Sequence, residues 1–359
     1  MIKVGRIRLL GNALCALVLL LLTLPVSAQV GGDNTYDFLN IPNSARISSN
    51  GGGLVSINDA DINLAVYNPG LIDSSLHGQL SLGYVDYFSD INAGIAAYAH
   101  HFQKAGTFLA SMQYLHYGSF TETDEMGNIR GEFTAADYAL GIGWAYHPDT
   151  NFTFGATWKT IYSSYFDYTS SGMALDIAAT YTSRKRQFCA TLLARNAGFQ
   201  LTPYYEGHSE PLPFELQLGF SKKLKKAPLR IIGALTHLEK FDLTWQTPGD
   251  DGPKIDAITG DTLPERKFWK FADKLTRHAL IGVEFVPSQN FYINISYNYR
   301  RRQELKVDTK PSTMGFSWGL GFRVYKFHLS YARAAYHLAG ATNFFTISSS
   351  IGDFVKKQN

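Results

Sequence analysis

Only two cysteines occur in the 359 residues, Cys15 and Cys189. Cys15 lies in an N-terminal apolar run, so Cys189 has no internal partner and disulfides cannot hold the fold. Cys189 reads instead as a small side chain packed on a strand. An excess of charge of either sign is also missing, with Lys and Arg numbering 33 against 30 Asp and Glu. Such a chain lacks the basic surface that binds phosphate backbones, which excludes nucleic acid as the main partner. After Ala28 no apolar run approaches the ~20 residues of a membrane-crossing helix. Metal-ligand spacing is absent too: His116, His147, His208 and His237 are scattered, while His100 and His101, adjacent on a strand, point to opposite faces. No metal or cofactor is expected.

The N-terminus is read as a targeting segment. Lys3, Arg6 and Arg8 precede an almost wholly apolar stretch from Leu9 to Leu24, which Pro25 ends. Val26-Ser27-Ala28 then offers the small residues that a signal peptidase cleaves after. A transmembrane helix is the alternative, but no basic flank follows the run. Cys15 sits inside the run rather than at its end, where a lipid-bearing cysteine would stand. Residues 1–28 are thus expected to be a cleaved signal peptide, with the mature chain starting at Gln29. Losing three basic residues leaves thirty of each sign.

From Gln79 onward one grammar repeats, a segment of period two followed by a break. Tyr138, Leu140, Ile142, Trp144 and Tyr146 alternate with Ala139, Gly141, Gly143 and Ala145. Phe214, Leu216, Leu218 and Phe220 alternate with Glu215, Gln217, Gly219 and Ser221, and Phe291, Ile293 and Ile295 with Asn294 and Ser296. About fourteen segments are found: 79–88, 92–102, 107–117, 133–146, 151–162, 173–181, 187–197, 214–224, 229–238, 278–285, 291–299, 314–324, 326–334 and 343–352. Breaks at Lys104, His147-Pro148, Arg184-Lys185, Lys226–Pro228, Pro287-Ser288 and Tyr325 are tight. The intervening ones are longer: Gly118–Glu132, Ser163–Gly172, Gly198–Pro213, Glu239–Arg277, Arg300–Thr313 and Ala335–Thr342. A sandwich has no reason for this alternation, whereas an outer-membrane barrel has short turns on one side and long loops outside. The prediction is an all-β, 14-stranded antiparallel transmembrane barrel over 79–359. In lipid only helices and closed barrels satisfy their own backbone. Residues 29–78 do not alternate and are expected to fold into the lumen as a small plug, with a helix-compatible stretch near Asp59–Val66.

That segment carries a signature. Gly31-Gly32-Asp33-Asn34-Thr35-Tyr36-Asp37-Phe38-Leu39-Asn40 is followed by Ser44-Ala45-Arg46, Gly51-Gly52-Gly53, Asp61-Ile62-Asn63-Leu64-Ala65 and Asn68-Pro69. Together with Gln79–Leu82 and Tyr87–Asn92 it resembles the PorQ proteins, outer-membrane components of the type IX secretion system of Bacteroidota. Ser44-Ala45-Arg46, the glycines and Asn68-Pro69 are shared with PorV and with FadL-like fatty-acid channels. Gly70 departs from the alanine usual there in the broader superfamily. The resemblance implies a FadL-like barrel without enzymatic activity, in a surface complex with PorU-, PorV- and PorZ-like partners. That complex removes the C-terminal signal of secreted cargo and joins the cargo to anionic lipopolysaccharide. This chain would be the anchor of the PorZ-like protein.

Gly315-Phe316-Ser317-Trp318-Gly319 matches the nucleophile-elbow pattern, yet it lies mid-strand with no helix following, so a hydrolase lacks its structural context. The small and polar inward residues could line a path for an apolar ligand, or the plug could fill the lumen. The longest break carries Phe241, Trp245, Phe268, Trp269 and Phe271 among charges, and reads either as a partner-binding loop or as a self-packed lid. Within it Asp261-Thr262-Leu263 resembles the O-glycosylation sequon of this phylum. Two functions remain, a secretion-complex anchor and a FadL-like channel for hydrophobic small molecules.

Overall fold

The computed structural model describes residues 34–244, 267–305, 313–337 and 340–354. The expected signal peptide, Trp245 and Thr262 lie outside the described residues. Fourteen antiparallel strands form one closed barrel in sequence order. They are β1 (Gln79–Asp86), β2 (Asn92–Phe102), β3 (Gly106–Thr123), β4 (Ile129–Tyr146), β5 (Phe152–Tyr165), β6 (Tyr168–Ser183) and β7 (Phe188–Thr202). The remainder are β8 (Glu215–Lys223), β9 (Leu229–Leu235), β10 (Ala279–Ser288), β11 (Phe291–Asn298), β12 (Phe316–Val324), β13 (Phe327–His337) and β14 (Gly340–Ser350). β1 closes on β14 from Gln79↔Ser350 to Asp86↔Asn343, which leaves no sheet edge around the belt.

Alternation sets the two faces. Leu140, Ile142, Trp144, Leu218, Phe220, Ile293, Ile295 and Trp318 are exposed on the outside, whereas Ala139, Ala145, Gln217, Asn294, Ser296 and Ser317 are buried toward the lumen. An apolar exterior around a polar interior is the arrangement that lipid imposes on a barrel.

Three expectations about the breaks need correction. β3 and β4 are 18 residues each, so Gly118–Glu132 is mostly strand around a short turn. β5 and β6 meet across Tyr165↔Tyr168, which removes most of the expected loop Ser163–Gly172. Phe120, Thr121, Thr123, Phe133 and Thr134 favour extended backbone, but charged and polar neighbours hide the two-residue pattern. Finally, part of the longest break is a helix, α3 (Lys267–Thr276), and a shorter helix, α4 (Tyr299–Leu305), follows β11.

The segment ahead of β1 occupies the lumen. It contains α1 (Ala45–Ser49) and α2 (Ile62–Tyr67), each with a polar cap. Ser44 accepts from the amide of Ile47 at 3.3 Å, and Asp61 accepts from that of Asn63 at 3.0 Å. Ile47, Leu54, Ile57, Ile62, Leu64 and Ile72 are fully buried and pack on Leu109, Leu193, Ile232 and Leu280 of the wall. A second cluster joins Phe38 and Leu39 to Leu115, Ile161 and Phe344. Each such aliphatic side chain contributes about 1.5–3 kcal/mol relative to exposure. The wall makes room with glycines. A Cβ on Gly155 would stand 2.1 Å from the carbonyl oxygen of Pro69, and one on Gly319 would stand 2.5 Å from Cβ of Ser49. The helix expected near Asp59–Val66 is α2, which starts three residues later because Asp61 caps it and ends one residue later.

Candidate functional site

The plug is fastened to the wall by a buried cluster of charges. Cβ of Arg46 leaves the first turn of α1 toward the wall, and the side chain is almost fully buried. Its Nη1 donates to Asp61 at 3.0 Å and its Nη2 to Asp59 at 2.7 Å, both within the plug. Its Nε and Nη2 also donate to Oε1 of Glu284 on β10, at 3.2 and 3.1 Å. Arg230 on β9 completes the ring, bonding Asp59 through both terminal nitrogens at 2.8 Å and Glu284 at 2.5 Å. The Arg46 guanidinium lies 4.6 Å from the ring centroid of Tyr292 on β11. Two arginines thus face three carboxylates. Burial alone would raise the Asp59 pKa, but Arg46 and Arg230 outweigh it and hold that carboxyl at about 2.

The cluster forms the floor of a cavity of about 760 Å³ at the tight-turn end. Arg184, Gln187, Lys223, Gln289, Asn290 and Lys326 line its rim, while Ile57, Phe188 and Val286 add apolar surface. Higher in the lumen Lys159 pairs with Asp176 at 2.6 Å, and Arg195 stacks 3.9 Å over Tyr67 while donating to the carbonyl of Leu39 at 3.0 Å. The first pair joins β5 to β6, and the Arg195 contacts again tie the wall to the plug.

Apart from the pair Arg46–Asp61, the motif residues of the plug meet the wall. The amide of Ala45 donates to Thr346 at 2.9 Å. Asn68 caps the next turn, accepting from the amide of Gly70 at 3.0 Å and donating to Thr191 at 3.2 Å. Pro69 lies against Gly155. At Gly70 a Cβ would fall 2.2 Å from Oγ1 of Thr180 on β6, so the wall leaves no room there for alanine.

Ser317 is fully buried inside β12, where its hydroxyl accepts from Nη1 of Arg301 at 3.3 Å. The strand continues to Val324, so the strand-to-helix turn of a nucleophile elbow is missing. No group of three or more His, Cys, Asp or Glu among the described residues could hold a metal ion.

At the long-loop end α3 presents Phe268 and Trp269, 72% and 65% exposed, with Phe271 packed 6.0 Å from Phe241. The helix is pinned by Lys274 to Asp242 at 2.6 Å and by the Tyr299 hydroxyl donating to Asp273 at 2.7 Å. Phe268 and Trp269 therefore sit on a helix, not in a flexible loop.

The wall charges Arg230, Glu284, Lys159, Asp176 and Arg195 were not anticipated. Their signal was in the sequence, because each stands at an inward position of an otherwise apolar or small strand, as Glu284 does between Val283 and Phe285. A charge there needs a buried partner. The partner could not be named without the path of the plug.

Comparison with family models and with curated proteins returns no match. Solved structures do match in fold. The toluene transporter TbuX of Ralstonia pickettii superposes with a TM-score of 0.51 at 11% identity, over 87% of this chain and 99% of that one. The toluene transporter TodX of P. putida gives 0.50 at 12% identity, over 87% and 99%. A Pseudomonas aeruginosa FadL homologue gives 0.41 at 10% identity, over 86% and 97%. The chain shares with TbuX and TodX the fold of a closed antiparallel barrel, here of fourteen strands.

Proposed function

We propose that this chain is a non-enzymatic anchor in the outer membrane, with its long loops outside, that holds a surface partner in a type IX secretion complex. The observation that carries the reading is the stopped lumen. The plug is bonded to the wall through Arg46, Glu284, Asp59 and Arg230 and packed by two apolar clusters. The secretion-system assignment rests on the plug motifs, with Ser44, Ala45, Arg46, Asn68 and Pro69 as their structural core. The partner would be PorZ-like, joined by PorU- and PorV-like components, with lipopolysaccharide as the surrounding lipid. Phe268 and Trp269 on α3, and Trp245 from the same stretch of sequence, would supply apolar contact to it.

A channel for small apolar solutes is the second reading, and one observation favours it. Two neighbours that share the fold are named toluene transporters, which supports this reading more directly than the first. Against it stands the mouth of the cavity, where Arg184, Gln187, Lys223, Gln289 and Asn290 place polar and charged groups across the way of an apolar solute. Purification in mild detergent decides between them. The anchor elutes with a surface protein in equimolar amount. A barrel that elutes alone and carries toluene into liposomes overturns the anchor.

A further inference from the structure

The barrel wall has very uneven height. β9 has seven residues and β11 eight, whereas β3 and β4 have 18 each. About 9–11 residues cross the hydrocarbon core. β2 stops pairing with β3 at Asn92↔His116, and β5 stops pairing with β4 at Tyr165↔Ala135. Beyond those points the β3–β4 hairpin continues alone, from Ser119↔Thr134 to Thr123↔Ile129. Seven further residues of β3 carry it roughly 20 Å along the strand direction at about 3.3 Å per residue. No strand among the described residues pairs with either edge of this arm.

An isolated two-stranded hairpin is marginally stable in water. This one is braced where it leaves the barrel. Phe120 stacks on Phe133 at 5.3 Å, and Phe133 packs on Phe166 at 4.8 Å. A bulge lies between His116 and Ser119, and within it Gly118 takes a φ of +89°, a left-handed conformation that favours glycine. The tip is left exposed: Met126 is 89% and Ile129 74% accessible. Large apolar side chains held on a braced strand pair are the anchors that interfaces use, methionine among them.

Charge narrows the partner. The arm carries Glu122, Asp124, Glu125 and Glu132 against Arg130 alone, and the adjacent tips add Asp167, Glu206 and Glu210. Basic residues collect elsewhere at this end: Lys270 and Lys274 in α3, Arg277 just after it, and Arg300, Arg301 and Arg302 in α4. Carboxylates along open strand edges repel a second copy of the same arm and repel anionic lipid. They attract a basic surface. We propose that the arm 117–134 is the docking post for a surface protein presenting a basic face with an apolar depression, which Met126 and Ile129 enter. The inference deepens the anchor reading and rests on it, adding a site that α3 does not supply.

The test is p-benzoylphenylalanine placed at Met126, and separately at Phe268, with irradiation of intact cells and mass spectrometry of the adducts. Met126 should give one adduct, with a surface protein whose cross-linked peptide carries Lys or Arg. Glu125→Lys with Glu132→Lys should lower its yield about tenfold, and Arg130→Glu should preserve or raise it. These exposed changes leave strand pairing intact, which outer-membrane levels of the barrel verify. An adduct unaffected by charge reversal, or one with a second copy of this chain, overturns the proposal. No adduct at Met126 while Phe268 still captures a co-purifying partner overturns the arm and spares the anchor. No adduct at either position from a barrel that purifies alone removes both.

Discussion

Replacing Arg46 with Met tests whether charge fastens the plug. The methionine keeps much of the aliphatic stem but removes the guanidinium near Tyr292 and with it three carboxylate partnerships, to Asp59, Asp61 and Glu284. Glu284 is fully buried and would retain only Arg230, so one arginine would face three carboxylates. Removing one partner of a buried pair costs about 3–5 kcal/mol, and the surviving Arg230 places this case near the lower end. Arg46→Met with Glu284→Leu removes the stranded carboxylate as well. Buried pairs replaced together by apolar residues are often neutral, so the double variant should regain at least half of the loss. The assay is tryptophan fluorescence through a urea titration in detergent, with protease digestion of the plug as a second readout. Arg46→Met should lower the midpoint and expose the plug to cleavage. A shift equivalent to less than about 0.5 kcal/mol, or a double variant worse than the sum of its parts, would refute the reasoning.

Acid should loosen the same contact. The Asp59 carboxyl is held at about 2 when folded, below the ~3.9 of an unfolded aspartate, so its contribution is whole above pH 4 and disappears as pH falls toward 2; that loss is about 2 kcal/mol, read as plug cleavage by pepsin against pH. Gly70→Ala should cost about 1–3 kcal/mol, because the added methyl meets Oγ1 of Thr180, which is held at 2.9 Å by Thr191, and Thr180→Ala in the same chain should recover most of it in the urea midpoint. Ile295→Arg on the exposed face should cost about 2–4 kcal/mol if that position meets the bilayer midplane, and an unchanged folded fraction in lipid would place the belt elsewhere.

The belt of the barrel was legible because lipid and lumen impose opposite demands on alternate residues, so β2 matches its expected limits of 92–102. Legibility failed where those demands stop. Above His116 both faces of the β3–β4 arm meet water, the pattern loses contrast, and strand was read as loop. α3 is hidden for a different reason: Phe268, Phe271, Ala272 and Leu275 recur at helical spacing, but the run is only ten residues long inside the longest break. The site divides in the same way. Arg46 and Asn68 stood out through their motifs, and Ser44 as a helix cap has a local cause. Glu284 and Arg230 are 54 residues apart and meet only because β9 and β10 are neighbours across the longest break. Gln217 shows the limit of reading the lumen as merely polar: its amide donates to the Tyr67 hydroxyl at 3.1 Å, so an inward arginine there would not be the cheap change that a water-filled pore allows.

The anchor itself is tested most directly by deleting the gene and measuring, in the same cells, where the surface partner and secreted cargo go and how fast toluene enters. The account predicts that the partner leaves the cell surface, that cargo accumulates unprocessed or unattached in the medium, and that toluene entry is unchanged. Partner and cargo staying in place while toluene entry falls would contradict it and establish the channel.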